Sequence, residues 1–142
     1  MWIMFLGSLV VGFFITTSLL VDKCSHVKSS LTKFYMAVHM ALWMVVIDLF
    51  IMWYRGHRVN VFLALGTFVL IIIVIVAARA QMGVGDSDYL KAMIQHHSSA
   101  ILTSNRILTK TTNTTVYDLA CRIIKSQEEE IDEMEHALEN IL

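Results

Sequence analysis

Residues 61–79 read VFLALGTFVLIIIVIVAAR, eighteen uncharged positions closed by Arg79. As a helix, eighteen residues are about 27 Å long, close to the ~30 Å of a bilayer's hydrocarbon core. The residues upstream are similar. Phe34 to Tyr54 is a second apolar run, with Tyr35 at one end and Trp53 and Tyr54 at the other, where amphipathic rings favour the interface. Met1 to Val21 is a third, uncharged throughout. It has no basic start and no small-residue cleavage motif, and two further runs follow it, so it reads as a retained span rather than a signal peptide. Backbone polar groups find no water in hydrocarbon, which makes helices the form such spans take. The expected membrane region is residues 1–80, with spans at about 1–21, 34–54 and 61–78.

Composition fits this division. Of the 142 residues, 56% are hydrophobic, against about 45–50% in soluble domains. Up to Ala80 six basic residues stand against Asp22 and Asp48, and the rest of the chain carries ten acids and five bases. A formal charge of −1 therefore hides a positive half and a negative half. Neither half has the clustered basic face that nucleic-acid binding needs. Cys24 and Cys121 form no metal spacing. Three spans would leave both on one side of the membrane, where two free thiols are the simpler reading and a disulfide is topologically allowed.

The middle run differs chemically from its neighbours. Met36, Met40, Met44, Asp48 and Met52 recur at every fourth position, a stripe that winds slowly along one flank, with His39 and Trp43 beside it. Ionisable groups at membrane depth point to function, and thioether and imidazole suit Cu(I). Packing with interfacial snorkelling explains the same residues, so Met36, His39, Met40, Met44 and Asp48 are a secondary candidate site only.

After a Gly83-Val84-Gly85 hinge the pattern becomes that of amphipathic helices. A helix is expected from about Ser87 to Thr109, capped by Asp86 or Ser87, with a seam of Leu90, Ile94, His97, Ile101, Ser104 and Leu108. Residues 111–115 turn the chain. A second helix follows from about Val116 to the end, with Val116, Ala120, Ile123, Gln127, Met134, Leu138 and Ile141 on its seam and Ile124 and Ile131 widening it. Folding the two antiparallel sets Leu108 against Val116, Ile101 against Ile123 and His97 against Gln127. Met93 lies one turn before His97, Glu130 lies at the seam's edge, and His96 points aside. Imidazole, thioether and carboxylate meeting between helices resemble a bundle metal site, and a core histidine bonded to Gln127 is the competing reading. Residues 86–142 form the expected hairpin domain, and so exposed a hairpin predicts self-association.

Lys91-Ala92-Met93-Ile94-Gln95-His96-His97, Ala100-Ile101, and then Gln127, Glu130-Ile131 and Met134 resemble the ferritin-like CopM-type family, a domain of unknown function in bacterial genomes with some copper-binding members. A subgroup of that family resembles the chain along its whole length, with three N-terminal spans, a methionine-rich middle helix and one C-terminal hairpin. The resemblance implies that Met93, His96, His97, Gln127, Glu130 and Met134 hold or frame a metal, and that the hairpin is non-cytoplasmic. Counting basic residues near the membrane (Lys23, Lys28, Lys33 and Arg79 against Arg55 and Arg58) favours the opposite orientation. The Asn113-Thr114-Thr115 sequon carries meaning only if the domain is lumenal in a eukaryote. Two departures stand out. Leu102 and Thr103 occupy the place of a family methionine, and Asp48 interrupts the stripe.

The expectation is therefore an all-α multi-pass membrane protein ending in an antiparallel two-helix, half ferritin-like hairpin. Its expected work is to bind copper, or another transition metal, for storage, delivery or tolerance, as a homo-oligomer in a lipid bilayer. The alternative is a structural or assembly protein whose hairpin docks a partner. No nucleophile–base pair, phosphate loop or zinc signature marks an enzyme.

Overall fold

The computed structural model describes residues 2–141 and is helical, with no strand among them. Five α-helices follow in order: α1 (Trp2–Phe14), α2 (Leu31–Tyr54), α3 (Val61–Arg79), α4 (Asp86–Leu108) and α5 (Thr114–Ile141). They divide into two compact units. One is Met1–Thr17 with Leu31–Val84, and the other is Ser18–Ser30 with Gly85–Leu142.

In the first unit, α2 and α3 are long and apolar enough to cross a membrane. The first run is not one helix. α1 stops at Phe14 after 13 residues, about 20 Å, and Thr16–Ser18 form a 3₁₀ turn. The physical reason lies in the hydroxyl residues that follow, Thr16 and Ser18. Hydroxyl residues such as Thr16 and Ser18 favour local backbone hydrogen bonds that compete with the helix, and a β-branched residue such as Thr16 has lower helix propensity. The expected span at 1–21 is therefore shorter and broken, and Met1 lies outside the described residues. α3 begins where expected because Asn60 caps it, its Oδ1 accepting from the backbone N–H groups of Phe62 (3.0 Å) and Leu63 (3.2 Å).

Small residues bring α1 and α2 together, as is common between helices in lipid. Ala37 and Ala41 are buried, and a Cβ added to Gly12 would come within 2.6 Å of the Met40 methyl and 3.3 Å of the Ala37 Cα. The methyl can swing away, but the backbone cannot. Gly12→Ala is thus expected to be mild, while Gly12→Leu should force the helices apart at about 1–3 kcal/mol. Thermal unfolding in detergent, followed by Trp43 and Trp53, would check this; equal melting of the leucine variant and the parent would refute the close packing. On the other side of α2, Leu42 packs with Ile71 and Val74 of α3, flanked by Phe5, Tyr35, Val38 and Val46.

The second unit is built from α4 and α5, joined by residues 109–113. Ile94, Ile101, Ile131 and Leu138 form its core, with Leu90, Ile124 and Met134 packed around them. α4 starts at Asp86 and is preceded by Gly85, which makes no side-chain cap. Asp86 and Asp88 instead sit in the first turn, where negative charge opposes the helix dipole favourably. α5 starts at Thr114, two residues earlier than expected, because Asn113 Oδ1 accepts from the Val116 N–H at 3.2 Å. Val116, expected on the seam, is 40% exposed. The segment 18–30 also differs from expectation. It follows α1 and precedes α2 in the chain, yet it packs with α4 and α5.

Candidate functional site

The strongest polar cluster of the second unit lies between α4 and α5. His97 extends from α4 with 12% of its side chain exposed, and its Nδ1 is 3.0 Å from Glu130 Oε2 on α5. This is an ion-pair distance, but the oxygen lies off the axis of the ring nitrogen. Nδ1 is shielded from solvent and makes no aligned hydrogen bond. Glu130 is itself held in place. Its Oε1 accepts from Ser126 Oγ at 2.8 Å, and its Oε2 accepts from Gln127 Nε2 at 3.4 Å. The expected His97–Gln127 pairing is thus corrected by one helical turn. The imidazole meets the carboxylate, and the amide supports that carboxylate from the same helix.

The other expected residues occupy graded positions. Met134 packs against the isoleucine core and Met93 is half-buried on α4, one turn before His97. His96 is exposed, with its ring 6.0 Å from that of His97 and tilted by 66°. His136 is exposed, as its place opposite the seam implies. Among the described residues, no three His, Cys, Asp or Glu side chains surround a point that a metal ion would occupy.

The residues of the middle helix are not brought into one group. The buried seam of α2 runs through Ala37, Ala41, Val45 and Leu49, so the methionine stripe lies one position to its side. Met36 is 56% exposed, and Met40, Met44 and Asp48 are half-buried. Trp43 Nε1 donates to His39 Nε2 at 3.0 Å, which occupies that ring nitrogen's lone pair and leaves it none for a metal. Cys24 and Cys121 are both free and exposed.

A second polar cluster was not expected from the sequence. Ser98, completely buried, accepts from the Asp22 backbone N–H at 2.9 Å, and its Oγ lies 2.9 Å from Nδ1 of His26, also buried. The signal was Ser98 itself. It falls between Ile94 and Ile101 at helical spacing, and a hydroxyl on a buried face requires a partner. Nothing in the sequence points to His26 as that partner, seventy-two residues away.

The fold and site describe an all-α protein with two long apolar helices and a two-helix unit carrying a His–Glu contact. Residues 76–139, which include α4 and α5, match the family described as a domain of unknown function (DUF305). The chain is 34% identical over 138 residues to an uncharacterized protein of Acanthamoeba polyphaga mimivirus, covering 96% of this chain and 90% of that one. It belongs to the same family as that viral protein. No solved structure matches it.

Proposed function

We propose that this chain is a multi-pass membrane protein whose C-terminal helices bind copper, for storage, delivery or tolerance rather than catalysis. The observation that carries the proposal is the buried Nδ1 of His97. Buried polar atoms nearly always have a partner, and the near atom here is Glu130 Oε2 at 3.0 Å, set off the line of a hydrogen bond. A nitrogen and a carboxylate oxygen 3.0 Å apart have a separation that two ligands of one ion can take.

The donor set fits a soft cation. α4 and α5 share a core along their length and are joined by a five-residue link, so we read them as the antiparallel, half ferritin-like hairpin. One turn before His97 on α4 is Met93, and one turn after Glu130 on α5 is Met134. Antiparallel packing sets these two level with each other beside the His–Glu contact. Thioethers and imidazole favour Cu(I). Met93, His97 and Met134 would hold the ion. Glu130 Oε2 would complete or orient the set, Gln127 would steady that carboxylate, and His96 would serve as an outer ligand. The CopM-type subgroup, with its three spans and non-cytoplasmic hairpin, agrees with this reading.

Membrane insertion of the first unit draws support from its surface. Phe62 and Ile3 are 86% exposed and Trp2 is 71% exposed, a density of apolar side chains that water does not tolerate. In our reading α1 is the third membrane-inserted helix, shortened by its hydroxyl-rich end.

The test is a melting curve of the detergent-purified full chain with and without Cu(I) under reducing conditions. A ligand that binds only the folded state at a hundred times its Kd adds about 2.7 kcal/mol, seen as a rise of several degrees that saturates at a fixed copper-to-protein ratio. No rise, with no copper retained after desalting, would refute the reading. A second reading, an assembly module, rests on Tyr117 (48% exposed), Leu119 (47%) and Val116 (40%) near the turn between α4 and α5. It predicts a melting temperature that follows protein concentration instead.

A further inference from the structure

The C-terminal end of α4 carries an apolar groove with a basic wall. Leu102, Thr103 and Ile107 of α4 and Leu20 of the 18–30 segment line a groove of about 430 Å³, together with Arg106 and Lys110. Leu20 is 55% exposed and Ile107 39%, and Leu19, next to Leu20 in the chain, is 71% exposed. Neither the Arg106 nor the Lys110 side chain is ion-paired among the described residues. A helix C-terminus favours basic residues, but that gives no reason for exposed leucine and isoleucine between them.

Charge along the second unit is split in the same sense. Residues 102–125 hold four bases (Arg106, Lys110, Arg122 and Lys125) and one acid, Asp118, whereas residues 126–142 hold seven acids and no base. A negatively charged surface would attract the end that carries the groove and repel the other. The chain adds a constraint. Leu20 is six residues beyond Phe14, the last residue of α1, an extended reach of at most about 22 Å. With α1 in the bilayer, as proposed above, the groove stays within that reach of the end of α1. We propose that this groove docks on a bilayer surface of anionic phospholipid. Leu20, Leu102 and Ile107 meet the upper acyl chains, and Arg106 and Lys110 lay their apolar stems along them and place their charges at the headgroup phosphates. The proposal rests on the membrane reading and is independent of copper. A second copy fits the groove less well. Its own groove is basic and would repel, and its acidic stretch, residues 128–140, exposes no large apolar side chain to fill a groove. A bilayer interface supplies negative charge and hydrocarbon together.

The test uses the full chain in nanodiscs of phosphatidylcholine alone, or of equal parts phosphatidylcholine and phosphatidylglycerol. A nitroxide on the lipid headgroup should broaden the Leu102 and Ile107 methyl signals in the anionic discs, and much less in the neutral ones. Salt at about 1 M, where the Debye length is about 3 Å, should remove most of the difference. Each basic residue at an anionic surface shifts such an equilibrium about fivefold, so Arg106→Gln with Lys110→Gln should lower the docked-to-undocked ratio roughly thirtyfold. Unchanged Ile94 and Ile131 methyl signals would show that this variant is folded. A nitroxide at mid-chain should separately broaden Ile72 of α3, which is 60% exposed and reports insertion. Ile72 broadened while Ile107 stays sharp would overturn the docking alone, and a sharp Ile72 would overturn the membrane reading with it. Equal broadening of Ile107 in both kinds of disc would overturn charge-directed docking. Contacts from Ile107 to a second, differently labelled copy in place of lipid would overturn it in favour of self-association.

Discussion

Ile94→Ala should lower the stability of the second unit by about 2–5 kcal/mol, the largest loss expected from truncating any single side chain there. Ile94 is fully buried and contributes to a small core with Ile101, Ile131 and Leu138. Two helices and one connecting segment cannot close readily over a missing side chain, so most of the cavity would remain. Against the 5–15 kcal/mol that folded domains have in total, such a loss takes the unit close to unfolding at moderate temperature. Ile94→Val should cost only about 0.5–1.5 kcal/mol. The three tryptophans, Trp2, Trp43 and Trp53, all belong to the first unit. The measurement therefore has to use amide exchange across α4 and α5, or the tyrosines Tyr89 and Tyr117. A loss below about 1 kcal/mol for the alanine variant would mean that Ile94 is not the centre of the core.

The sequence made that core legible because its spacing repeats. Leu90, Ile94 and Ile101 on one helix, and Ile124, Ile131, Met134 and Leu138 on the other, follow the three-four alternation of a buried face, and the structure packs all seven together. The apolar runs at 34–54 and 61–78 were legible for a similar reason, since their character is uniform over lengths that a helix needs to cross lipid. What failed was local. The break after Phe14 arises from hydroxyl residues, Thr16 and Ser18 among them, inside an apolar run, where averaging hides them. The one-turn correction at His97 has the same kind of origin. Gln127 and Glu130 lie three residues apart on one helix flank, so periodicity alone cannot say which of them faces the imidazole. The packing of 18–30 against α4 was beyond reach, because a serine on a helix and a histidine in a connecting segment carry no mutual spacing.

His97→Ala should lower Cu(I) affinity by at least about a hundredfold, some 2.7 kcal/mol, if His97 is the nitrogen donor of the site. The competing possibility, a histidine that only fills the seam, predicts a loss of melting temperature without copper and no change in copper affinity relative to the folded fraction. The methionines separate the two more sharply. Met93→Leu and Met134→Leu nearly preserve volume, so each should leave copper-free stability within about 1.5 kcal/mol while removing a sulfur that no hydrophobic role requires. Each should weaken Cu(I) binding by roughly tenfold or more, and the double variant should deviate from the sum of the two, because donors that share one ion are coupled. Competition against a Cu(I) chelator at fixed pH, with amide exchange confirming the fold of each variant, supplies all the numbers. Unchanged affinity in both leucine variants would remove sulfur from the site. His97 and Glu130, with the exposed His96 as an outer ligand, would then remain among the described residues without a soft sulfur donor, and the Cu(I) reading would fail.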